Sequence, residues 1–224
     1  MRTAWGFLAL LLLAPTLVAA AEHDMAHMEM DGGYYGKVGI DQAEWRSADL
    51  AAWNAQAWFG GDYHKIWLKS EGQRGGGRED ARVELLWDRV VSPWWHLQAG
   101  VREDWGGGAG RSWAAVGIAG MAPQFLGVEA TLYLGDAGRS AARLKLEYEV
   151  LLTQRWILQP EAEANLYGRA DPERGLESGL AEFEAGLRLR YEIRRRFAPY
   201  LGVLYGRRHG VQETRAVAGL RIWF

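Results

Sequence analysis

The stretch RSAARLKLEYEV, residues 139–150, sorts its charges by parity. Arg139, Ala141, Arg143, Lys145, Glu147 and Glu149 alternate with Ser140, Ala142, Leu144, Leu146, Tyr148 and Val150. Successive side chains of a strand point to opposite faces, whereas a helix groups positions three and four apart. The segment therefore reads as a β-strand with one ionised face and one uncharged face.

The same alternation extends in both directions. In 180–193, Glu182, Glu184, Arg188, Arg190 and Glu192 oppose Ala181, Phe183, Ala185, Leu187, Leu189, Tyr191 and Ile193. In 155–167, Arg155, Gln159, Glu161, Glu163 and Asn165 oppose Trp156, Leu158, Ala162, Ala164 and Leu166. In 94–104, His96, Gln98, Arg102 and Asp104 oppose Trp95, Leu97, Ala99 and Val101. Residues 111–121 are apolar on both parities and assign no face. Turn residues cut the body into about twelve runs: 34–45, 51–59, 62–71, 80–91, 94–104, 111–121, 124–135, 139–150, 155–167, 179–193, 197–208 and 213–224. Gly60-Gly61, Ser92-Pro93 and Ala122-Pro123 are tight connections, while EGQRGGGRED (71–80), WGGGAG (105–110) and GRADPERGLES (168–178) read as longer loops at the opposite end.

Alternation alone does not say which face is enclosed. Runs of about eleven residues, at ~3.3 Å rise and ~45° tilt, cover roughly 25 Å of bilayer, about twice a common soluble strand. Trp45, Trp94, Trp95, Trp105, Trp113, Trp156 and Trp223 fall near run ends, where an interfacial girdle belongs. The last run carries Ala216, Ala218, Leu220, Ile222 and Phe224 on one face, a pattern resembling the assembly signal of bacterial outer-membrane barrels. Hydrocarbon tolerates strands only in a closed ring, because no backbone group can go unpaired there. The expectation is an all-β, up-and-down antiparallel transmembrane barrel of about twelve strands over 34–224, with outer-membrane lipid around it. Both termini should then lie on one side, the periplasm.

The ends and the composition set the compartment. MRTAWGFLALLLLAPTLVAA, residues 1–20, has a basic Arg2, an apolar run from Phe7 to Leu13 and a small-residue site at Val18-Ala19-Ala20. It reads as a secretory signal cleaved after 20 or 21. The chain has no cysteine, so an exported form forgoes disulfides. A net charge of −2 argues against a nucleic-acid partner.

The segment AEHDMAHMEMDGG, residues 21–33, has a different chemistry. It holds Met25, Met28 and Met30 of the chain's five methionines, and His23 and His27 of its five histidines. Thioethers are soft and suit Cu(I), and imidazole suits Cu(II). Glu22, Asp24, Glu29 and Asp31 add a field that attracts cations. His23, Met25, His27, Met28 and Met30 are the candidate copper ligands on a flexible leader without a fold of its own; no organic cofactor is expected. His96 shares the ionised parity and is a secondary candidate facing the lumen. His64, opposite in parity to Lys65 and Lys69, is a weaker one at the lipid rim. Met121 ends a run and reads as packing. The mixed lumenal charges (Arg143, Lys145, Glu147, Glu161, Glu163, Arg188, Arg190 and others) could form ladders between adjacent strands or line an ion path. No spacing pairs a serine with His64, His96 or His209 as a nucleophile needs, so a lipid-acting barrel enzyme is disfavoured. A general passive pore with an incidental leader is the alternative.

Several long strings point further: FGGDYHKIWLKSEG (59–72), SPWWHLQAGVRED (92–104), GDAGRSAARLKLEYEVLLTQRWILQPEAEANLYG (135–168), DPERGLESGL (171–180) and LRLRYEIRRRFAPYLGV (187–203). Together they resemble the copper resistance protein B family. The resemblance implies a non-enzymatic outer-membrane barrel that helps Gram-negative bacteria tolerate copper. It also implies a Met/His-rich N-terminal segment. The leading expectation is that this segment captures copper at the periplasmic mouth and holds or exports it, with a periplasmic copper protein as a candidate partner. Family members often carry long runs of Met-rich repeats; this chain has a single short cluster.

Overall fold

The computed structural model describes residues 33–224 apart from 77, 107 and 209. The secretory signal and the Met/His leader, including His23, Met25, His27, Met28 and Met30, lie outside the described residues.

The strands are β1 (Tyr35–Arg46), β2 (Leu50–Gly60), β3 (His64–Gly75), β4 (Arg78–Ser92), β5 (Trp95–Gly106), β6 (Arg111–Ala122) and β7 (Leu126–Gly135). They continue as β8 (Ser140–Glu147), β9 (Val150–Leu151), β10 (Trp156–Tyr167), β11 (Gly179–Tyr191), β12 (Phe197–Arg208) and β13 (Val211–Trp223). β8 and β9 are two pieces of one stave, both paired with β10, so the described residues form twelve staves. Each stave pairs antiparallel with the next, and β13 pairs with β1 through Gly39↔Trp223 to Arg46↔Val217. The ring has no free edge, which is the condition hydrocarbon imposes on strands.

The parity read from 139–150 is the observed one. Leu144 is exposed on the outer surface while Arg143 is buried in the bore. Leu68, Leu85, Val101, Val116, Leu132 and Leu201 continue the outer apolar band. Phe59, Trp94, Phe125 and Trp156 mark its rim at the end carrying Gly33 and Phe224; Trp45 and Trp105 mark the other rim. An apolar band between aromatic girdles is the lipid-facing signature of such barrels. Trp53 shows how a polar atom is tolerated there: its indole N–H donates to Ser70 Oγ (3.2 Å) while its ring covers Gly72.

Three expectations fail locally. EGQRGGGRED is strand rather than loop: β3 runs to Gly75 and β4 restarts at Arg78. Gly75 (φ +127°) and Gly76 (φ +59°) take left-handed backbone that other residues rarely adopt, and this closes the hairpin in little more than one dipeptide. Trp113 does not join the girdle. It is only 5 % exposed and lies in the bore, where its indole N–H donates to Asp104 Oδ2 (3.0 Å). With both parities of β6 apolar, sequence could not assign its side. Arg155 also leaves the lumenal set, being exposed in the turn between β9 and β10.

Candidate functional site: a braced bore and its two mouths

The enclosed face carries buried charges from most of the wall, and they pair across the bore as well as along the wall. Arg143 on β8 reaches Glu71 on β3 (2.9 Å) and Glu163 on β10 (2.8 Å). Arg82 on β4 completes the cluster with Glu163 (3.0 Å) and Glu71. β3 and β4 lie far around the ring from β8 and β10, so Arg143–Glu71 and Arg82–Glu163 are struts across the bore, while Arg82–Glu71 and Arg143–Glu163 join neighbouring strands as a ladder would. Nearer the closing seam, Arg188 bonds Glu44 (2.8 Å) and Glu161 (3.1 Å), while Arg46 bonds Glu44 (2.7 Å) and Glu184 (3.0 Å). Tyr200 donates its hydroxyl to Glu44 (3.1 Å). Lys69 on β3 spans to Glu129 on β7 (2.8 Å), and Arg208 on β12 to Asp80 on β4 (3.0 Å). Multiple partners per ion are what lets charges remain in a largely water-excluded interior.

Among the described residues, two cavities lie between the struts. The larger, about 210 Å³, has Arg46, Arg82, Glu163, Glu184 and Arg208 in its walls. The smaller, about 80 Å³, lies toward the end carrying Gly33 and Phe224, among Asp41, Lys69, Glu129, Lys145, Glu147 and Arg221. Gln42, Asn54, Glu71 and Glu161 border both. Mixed sign throughout argues against strong selection for one ion charge by field alone.

The mouth remote from Gly33 and Phe224 is covered by the connection 168–178. Leu176 is 7 % exposed and joins an interior cluster with Leu86, Trp113 and Tyr167. Arg111 at the start of β6 grips the connection: Nε and Nη2 donate to the two Asp171 oxygens (2.8 and 3.1 Å), and Nη2 also donates to Glu173 (2.6 Å). Backbone bonds between Asp171 and Leu176 (2.9 Å each way) close the connection on itself. The Arg111 guanidinium holds the Asp171 carboxyl below its ordinary range. Since the folded value lies below the unfolded one, the latch contributes fully above the ordinary aspartate range and is lost as pH falls through the depressed value. Amide-exchange protection at Leu176 should therefore persist at neutral pH and fall on strong acidification. An Asp171→Asn variant should show the reduced protection already at neutral pH.

The other mouth holds the described candidate histidines. His96 faces the bore as expected, its Nδ1 2.9 Å from Asp88 Oδ1, and Gln98 donates to the other Asp88 oxygen (2.9 Å). His64 lies on the outer surface, stacked on Trp87 with centroids 5.6 Å apart. The two histidines are on opposite faces of the wall and cannot share a metal. Among the described residues no three His, Cys, Asp or Glu side chains are grouped to hold a metal ion. Sequence reasoning missed Met121 as a bore-facing residue, because the uniform apolarity of β6 hides its parity.

The comparisons with known proteins agree with this geometry. A family model described as "Copper resistance protein B precursor (CopB)" matches residues 34–224. The Copper resistance protein B homolog of Pseudomonas syringae pv. tomato is 46 % identical over 200 residues, 82 % of this chain and 68 % of that protein. Copper resistance protein B of Escherichia coli is 48 % identical over 201 residues, 83 % of this chain and 68 % of that protein. Among solved structures, the NanC porin superposes with a TM-score of 0.56 at 13 % identity, covering 84 % of this chain and 99 % of the porin. At that identity the likeness speaks for the barrel fold alone.

Proposed function

Because the chain belongs to the copper resistance protein B family, we propose that it is an outer-membrane, non-catalytic barrel that captures copper ions and thereby contributes to copper tolerance. The observation that carries this reading is the family match across 34–224, joined to the soft-ligand cluster that precedes it in sequence. Residues 1–20 are removed on export and 21–33 form the leader. His23, Met25, His27, Met28 and Met30 bind Cu(I) or Cu(II), thioether sulfur favouring the reduced ion. Both ends of the barrel face the periplasm, so the leader meets copper on that side, whether free or delivered by a periplasmic copper protein. Copper is then held there or passed outward, and passage requires the transverse ion pairs to part.

Deleting residues 22–31 in the native host, with copper tolerance and barrel assembly scored separately, tests the role of the leader. Tolerance should fall while the barrel assembles normally. Unchanged tolerance would refute capture by the leader and favour a passive pore with an incidental leader.

A further inference from the structure

Methionine occurs once in residues 33–224, at Met121. It pairs with Gly127, which pairs with Glu147. Glu147 lies in the bore and accepts a hydrogen bond from Gln159 (2.8 Å), so this row of residues faces inward. Met121 is thus on the bore face, 40 % exposed, at the mouth that carries both ends of the barrel. On the neighbouring strand His96 pairs with Ala119, two residues from Met121. Diagonal neighbours of this kind sit about 7–8 Å apart at Cα, within reach of one another for long side chains.

We infer that His96 Nε2 and Met121 Sδ form a copper contact on the wall of this mouth. Four observations support it. Asp88 is 1 % exposed and has one oxygen fixed by Gln98, so the other oxygen, on His96 Nδ1, is held in place. A carboxylate on one ring nitrogen leaves the other as the free lone pair, the arrangement that orients and strengthens metal-binding imidazoles. The imidazole is 28 % exposed, so the ring is not sealed inside the wall. Ala119 and Gly127, which flank the pair in register, leave space beside it. Lys65, opposite Asp88 on β3, is drawn aside over the Trp58 ring (5.2 Å) and does not occupy the position. One imidazole and one thioether suit Cu(I), which the hard divalent cations of the outer surface do not match. Asp88 is a positioning residue in this arrangement, since it acts through His96.

This inference rests on the copper reading above but not on the leader, and the test separates them. The mature full chain is purified in detergent with the leader ligands replaced (H23A, M25L, H27A, M28L, M30L) and titrated anaerobically with Cu(I) against a competing chelator. One equivalent should remain bound, and copper X-ray absorption should show one sulfur and at least one nitrogen neighbour. Met121→Leu, which conserves volume, and His96→Gln, which keeps a donor toward Asp88, should each remove that equivalent. Asp88→Asn should weaken it by about 10–100-fold. Heat-modifiable migration on gels verifies that each barrel is intact. No residual copper, binding indifferent to Met121→Leu and His96→Gln, or a copper shell without sulfur would overturn the proposal. In that event His96 is a hydrogen-bonded interior histidine and nothing more. If the leader substitutions remove no copper relative to the native leader, the leader reading fails while the barrel site stands.

Discussion

Replacing Arg143 by methionine is expected to destabilise the barrel by about 3–5 kcal/mol, the usual cost of stranding a buried charge partner. The Arg143 side chain is 5 % exposed, and Glu71 and Glu163, at 17 % and 18 %, both depend on it. After the change Arg82 alone faces two carboxylates, and the strut between β8 and β3 is gone. Adding Glu71→Gln and Glu163→Gln to the variant should restore much of the loss, because a neutral interior no longer contains an unmatched ion. Equilibrium urea unfolding from lipid vesicles measures both. A loss below about 1 kcal/mol for the single variant, the range of solvated surface pairs, would mean that water fills the bore and screens these ions.

The second large effect belongs to the outer face. Val116 sits mid-way along β6 and is 46 % exposed with its side chain outward. Val116→Arg should cost about 2–4 kcal/mol, whereas Ser112→Arg, on the same face near the rim, should cost at most about 1 kcal/mol. The depth dependence is the diagnostic part, since a soluble surface would accept both changes alike. The same unfolding assay reads it, and equal, small costs at the two positions would contradict a bilayer around this band.

The sequence made the staves legible because period-two alternation is a local property, and the strands from β8 to β11 carry it over most of their length. Closure also followed, since an apolar face that looks outward requires a ring. Three features were not legible. The side of β6 was hidden because both of its parities are apolar, and that concealed the inward turn of Trp113 and of Met121 together. The struts depend on which staves oppose each other, so Arg143 could be seen as lumenal but not as the partner of Glu71, 72 residues away in sequence. The glycines of 75–77 look like a loop by composition, yet two of them build a tight hairpin whose conformation only positive φ allows. The leader ligands were legible as chemistry alone, as a concentration of thioethers and imidazoles, and the family gives that chemistry its setting.

The claim beneath all of this is that the uncharged parity faces lipid and the ionised parity is enclosed. The chain has no cysteine, so single cysteines can be introduced without background. Thr131 and Leu132 are neighbours on β7, the first facing the bore in register with Arg143 and the second 60 % exposed outward.

 Thr131→Cys and Leu132→Cys, each carrying an environment-sensitive fluorophore, are reconstituted in vesicles with and without brominated lipid. The label at 132 should emit as in hydrocarbon and be quenched by brominated acyl chains, and the label at 131 should show neither effect. Quenching at 131 with a water-like, unquenched signal at 132 would contradict the account.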